Sequence, residues 1–247
     1  MRELIITFWY KKFPPQIPIH YNRTLNAYSE YYQNLSQENK TTFLKRLYIL
    51  LKFIRFIPKG LPHVTDEMRV VIGSAIIQIT FGLKNYLIKE FNTIYVVPRA
   101  YHFRDYKVPF LGHVDFANRV VCFSWRDVKT GFFIADDAVN VALHEMAHCL
   151  EKENTYRQLF STFFDSEKWA NWADYAYEKM EIIRRRENRF LKNYGGKNMH
   201  EMFAVCIETF FEKPDEFRYY LPELYDSLRE LLNQDPTLKS SPVLEKI

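Results

Sequence analysis

Residues 137–151 read Asp-Ala-Val-Asn-Val-Ala-Leu-His-Glu-Met-Ala-His-Cys-Leu-Glu. On a helix His144 and His148 lie one turn apart on the same face, so two imidazoles can reach one cation. Glu145 is turned about 100° from His144 and can take a proton from a water at that cation without ligating it. Two histidines and an adjacent carboxylate in this spacing are the ligand pair and general base of metal-assisted hydrolysis. Val141, Ala142, Leu143, Met146, Ala147, Cys149 and Leu150 surround them, so the helix should be buried. Burying three such polar groups without partners costs several kcal/mol, and a metal supplies the partner. The bland alternative is a pair of core histidines satisfied by hydrogen bonds.

A catalytic site of this kind needs a third protein ligand. A second apolar helix, His200-Glu-Met-Phe-Ala-Val-Cys-Ile-Glu208, places Glu201 and Glu208 on one face. Glu201 is the expected third ligand. Glu208 is expected behind it, accepting the free N–H of a histidine; its bland reading is a surface residue. His200 is the rival ligand, although it projects to a different face.

These helices need a frame. The 247 residues are 47% hydrophobic and 26% charged, which suits a globular chain with a real core. A net charge of +4, spread along the chain, gives no reason to expect a nucleic-acid partner. Three cysteines without paired spacing argue against a disulfide framework and for a reducing compartment. The apolar run Leu4–Tyr10 is too short to span a bilayer, so a cytoplasmic chain without a membrane partner is expected. Residues 1–35, with Pro14, Pro15 and Pro18, read as a surface arm, and 36–247 as a single catalytic domain. Phe43, Leu44, Leu47, Leu51 and Ile54 form a helical stripe stopped at Pro58. Thr65 reads as the N-cap of a helix running to Gly82. Ile94–Val97 and Arg119–Trp125 read as strands, and helices are expected over about 138–151, 166–190, 200–212 and 222–233. The order implies an α+β fold with a small sheet and a mostly helical C-terminal half.

Other features carry weaker signals. Arg119–Trp125 is either a sheet edge that accepts a peptide as an added strand or a fully paired core strand. Arg184-Arg185-Arg186 reads as a solvated helix face, Cys149 as a small core residue, and Trp169, Trp172, Ala176, Met180 and Ile183 as a packed stripe.

From about residue 40 to 236 the sequence resembles the Mlc titration factor A family of zinc peptidases, gluzincin-type enzymes with a metal site similar to that of the anthrax lethal factor protease domain. The resemblance rests on Val64-Thr-Asp-Glu-Met-Arg69, Phe123-Ser-Trp-Arg-Asp-Val128, Asn140-Val-Ala-Leu-His-Glu-Met-Ala-His148 and Glu201–Phe211. It implies a zincin-like domain holding one Zn2+ on His144, His148 and Glu201, with Glu145 as base. It also implies a role for Tyr194, seven residues before Glu201 and beside Gly195-Gly196, and a supporting place for Asn140 and Glu208. The implied activity is hydrolysis of peptide or protein substrates, aminopeptidase-like on short ones. The alternative is a regulatory protein that sequesters a transcriptional repressor, with peptidase activity secondary. A purely structural zinc site is disfavoured, since it leaves Glu145 without a role. The first 35 residues and the segment 155–190 depart from the family pattern, and substrate or partner preference would differ there.

Overall fold

The computed structural model describes residues 16–102, 108–156, 163–188 and 190–245. Helices α1 (Ile19–Tyr28) and α2 (Glu30–Asn34) open the described chain, and α3 (Gln37–Leu51) follows. Here the expectation of a surface arm over 1–35 is corrected for residues 16–35; residues 1–15 lie outside the described residues. Leu25, Tyr32 and Leu35 are buried in the main core, because the tyrosine-rich segment is amphipathic rather than uniformly polar. Ser36 caps α3 by accepting from the N–H of Asn39.

Strand β1 (Arg55–Pro58) replaces the end expected for the α3 stripe. Thr65 then caps α4 (Asp66–Thr80) through its hydroxyl, 3.2 Å from the Met68 nitrogen, as its position before Asp66-Glu67 predicts. From Val70 to Thr80 every residue of α4 is buried, so this helix is the centre on which the layers pack. Strands β2 (Thr93–Val97), β3 (Gly112–Asp115) and β4 (Val120–Ser124) complete a four-stranded sheet in the order β1-β2-β4-β3. β1, β2 and β4 run parallel and β3 antiparallel to β4. This decides between the two readings of Arg119–Trp125. β4 is paired on both sides, and the edge strand beside it is β3.

Trp125 leaves the strand directly into α5 (Trp125–Phe133), and α6 (Val141–Tyr156) carries the two histidines. Then come α7 (Ser166–Arg184), a 3-10 turn at Asn193–Gly196, α8 (Met199–Glu212), α9 (Pro214–Tyr220) and α10 (Pro222–Leu232). A small mixed sheet followed by helices is the expected α+β arrangement. α6 packs along α8 on one side and on β3, α4 and α5 on others. Two contacts hold that pair in place. Phe203 of α8 meets the rings of Phe164, Trp169 and Trp172 at 5.7, 5.2 and 5.0 Å, which seats α8 on α7. Glu153, fully buried on α6, accepts from the backbone N–H groups of Lys89, Glu90 and Phe91 and ties the helix to the segment before β2. No helix among the described residues is long and apolar enough to cross a membrane.

Candidate metal centre

α6 begins where Asn140 turns its side-chain oxygen onto the N–H groups of Ala142 and Leu143, at 3.1 and 3.2 Å. α8 begins the same way, with Asn198 accepting from the Glu201 nitrogen at 3.0 Å. The caps fix where each helix starts, and therefore which side chains face the interface. There His144, His148 and Glu201 offer three ligand atoms that all lie within 4.8 Å of one another. Nε2 of His144 is 3.2 Å and Nε2 of His148 is 3.5 Å from the same Glu201 oxygen. The structure thus brings together the three expected ligands. His200 is not among them: its Nδ1 lies 2.6 Å from Glu151 and its Nε2 3.2 Å from the Lys152 ammonium.

Charge favours a cation at this meeting point. Burial works against an imidazolium at His144, but Glu201 and Glu208 outweigh it and lift the group to about 10. Burial also opposes ionisation of Glu201, yet the two histidines hold its carboxyl well below the usual range. Glu145 is buried, and burial raises its carboxyl despite the histidines beside it. A raised carboxyl is the condition for a group that both accepts and returns a proton near neutral pH.

Behind the ligands Glu208 is 3% exposed, not a surface residue. One oxygen accepts the backbone N–H of Asn140 at 3.0 Å. The other accepts from the Lys192 ammonium at 2.8 Å and faces His144 Nδ1 at 3.5 Å. Asn140 therefore supports the site through its backbone and its cap rather than by touching a ligand. Tyr194 lies in the 3-10 turn before α8, its ring 6.1 Å from that of His144. Its hydroxyl accepts from Lys197 at 3.3 Å, and Lys197 in turn lies 3.7 Å from Glu201. Burial raises its phenol, and Lys197 opposes the shift. Arg184 donates to the Gly196 carbonyl at 2.7 Å, so one member of the arginine run holds this turn in addition to facing solvent.

Gly112 sits where β3 meets α6. A Cβ there would lie 2.7 Å from Val141 Cγ2 and 2.9 Å from Glu145 Cγ, so only glycine lets the edge strand approach the general-base candidate so closely. A cleft of about 200 Å³ lies on the other side of Asn140, lined by Gln78, Phe132 and Glu212 among others; none of the three ligands lines it. Sequence reasoning missed Lys192, Lys197 and Gly112. It also missed the cap Asn198, the one of the four with a readable signal, an Asn three residues before a Glu at a helix start.

A model of the glucose-regulated metallopeptidase M90 family matches residues 9–232. The chain belongs to that family. It is 25% identical over 249 aligned residues to an uncharacterized protein of Synechocystis sp., covering 93% of this chain and 90% of the relative. It is 26% identical over 122 residues to the Mlc titration factor A of Escherichia coli (strain 55989) and to that of Shigella flexneri, covering 47% of this chain and 45% of each relative. The chain is thus a metallopeptidase by family, and a peptidase family implies a peptide or protein substrate. The M90 chain also fits a metal on its own geometry. Two imidazole nitrogens and one carboxylate oxygen converge in a pocket that favours positive charge, a donor set suited to a borderline-soft divalent ion such as zinc.

Proposed function

We propose that the protein is a zinc-dependent peptidase of the gluzincin type, with His144, His148 and Glu201 holding one Zn2+. The observation that carries this reading is the convergence of three ligand atoms within 4.8 Å, with a buried carboxylate, Glu145, on the next residue of the same helix. Zinc, when bound, supplies a Lewis acid that activates water at neutral pH and polarises a carbonyl. Glu145 takes the water's proton on its carboxylate and delivers it to the leaving amine. Glu208 fixes the tautomer and orientation of His144 through Nδ1, and Lys192 and Asn140 fix Glu208. Tyr194 donates a hydrogen bond to the oxygen that gains charge as the carbonyl is attacked. The peptide lies along β3, the sheet edge against α6, rather than along β4. The reading extends to aminopeptidase-like cleavage of short peptides in the cytoplasm by a single domain whose core takes in Leu25, Tyr32 and Leu35.

The name of the Escherichia coli relatives favours a second reading, a chain that sequesters a transcriptional repressor. A pull-down from the native cell with wild type and with Glu145→Gln separates the two, since a regulator binds its partner whether or not it turns anything over. For the peptidase, Glu145→Gln should abolish hydrolysis and retain zinc. Glu201→Ala should lose both. Zinc lost from the first and kept by the second would reverse the two glutamate roles.

A further inference from the structure

The stripe that carries His144 and His148 continues. Lys152 is the next residue at the same spacing, about 6 Å further along α6 at 1.5 Å per residue. Its ammonium is held beside the metal centre by two groups: His200 Nε2 at 3.2 Å and the face of Phe116 at 5.3 Å. Both belong to the rim of the metal centre. Phe116 lies 6.4 Å from the His148 ring and 6.5 Å from the His200 ring, and His200 precedes the ligand Glu201. The buried carboxylate of Glu151 accepts from His200 Nδ1 at 2.6 Å. That bond turns the ring so that Nε2 accepts from Lys152. The arrangement orients the ammonium without neutralising it. Among the described residues one of its three donors is used and no carboxylate pairs with it.

We propose that Lys152, oriented by His200 and Phe116, is a subsite for a carboxylate of the peptide substrate. An extended chain advances about 3.3–3.6 Å per residue, so a group 6 Å beyond the ligands meets the substrate within two residues of the scissile carbonyl. The carboxylate is either the C-terminus of a short peptide or an Asp or Glu side chain at that place. The inference rests on the peptidase reading only in that the metal centre receives peptides.

The test is calorimetric binding to zinc-loaded Glu145→Gln protein, which does not turn substrate over. Three forms of one tetrapeptide serve as probes: the free acid, the C-terminal amide, and the amide with Glu in place of Gln two residues from its central bond. One carboxylate-bearing form should bind about three- to tenfold more tightly than the neutral amide, the range of a partly exposed charge-assisted contact. The form that gains identifies the source. Adding Lys152→Met should bring the ratio close to one, and adding Lys152→Arg should restore the preference. Equal affinity for all three peptides, or a preference that survives Lys152→Met, would overturn the proposal. Wild-type protein incubated with the same peptides reports separately on the peptidase reading. A binding preference without any hydrolysis would sink that reading and leave the carboxylate subsite standing.

Discussion

Replacing Glu208 tests whether the residues behind the ligands hold the metal centre. The alanine variant removes the acceptor of the buried Asn140 N–H, the partner of Lys192 and the carboxylate facing His144 Nδ1. A buried donor left unmet costs about 1–3 kcal/mol. Lys192 is 32% exposed and recovers much of its solvation from water, so that pair adds less. The expected loss of metal-free stability is therefore about 2–3 kcal/mol, read by urea denaturation. Glu208→Gln separates stability from positioning. Its amide oxygen can still accept from Asn140, while its NH2 meets two other donors, the Lys192 ammonium and the His144 Nδ1 proton. It should lie closer to wild type in urea yet bind zinc about 10–100-fold more weakly in competition with a chelating dye. Zinc affinity of Glu208→Gln within twofold of wild type would refute the claim that this carboxylate orients His144.

Tyr194→Phe removes one donor and almost no volume; kcat should fall by roughly ten- to a thousand-fold with KM and zinc content little changed, and full activity would exclude the phenol from the oxyanion site. Gly112→Ala drives a methyl group into Val141 and Glu145, so it should cost about 1–3 kcal/mol and lower kcat, with unchanged melting temperature and rate counting against the close approach. Glu212 gives a pH signature away from the metal: burial lifts its carboxyl to about 8, with Glu208 and Asp137 adding and Asn140 opposing. A raised acid is held more tightly by the folded chain, so its ionisation removes stability as pH rises from about 4 towards 8. Glu212→Gln should therefore raise the melting temperature more at pH 8.5 than at pH 5, and equal shifts at both would contradict the burial argument.

The helices that carry the ligands were readable because their neighbours are apolar all round, and His, Glu and His in such a setting demand a partner. The cap at Thr65 was readable from a short polar residue before an apolar period. β3 was not. Gly112-His113-Val114-Asp115 has neither length nor alternation, and it becomes a strand only because β4 pairs with it. α5 was hidden because β4 runs into it at Ser124 without a breaker or a side-chain cap. Lys192 was hidden for another reason: its bond to Glu208 crosses sixteen residues of chain, and no periodicity encodes it. Local patterns placed the three candidate ligands, while the groups packed behind them come from tertiary contact.

Among the described residues β3 is a sheet edge, and its length sets a ceiling on how firmly it can grip a backbone. An exposed strand long enough to bind peptides tightly would also recruit the same strand from another copy of the chain, which is how sheet edges seed aggregation. Here the edge is four residues long and is closed off at once by Asp115, whose carboxylate takes the Asn118 N–H and amide in a turn. Four residues offer a guest strand only a few main-chain hydrogen bonds. If peptides add along β3 as proposed, their grip must come from side-chain contacts and the reacting carbonyl, which favours short residence and easy product escape.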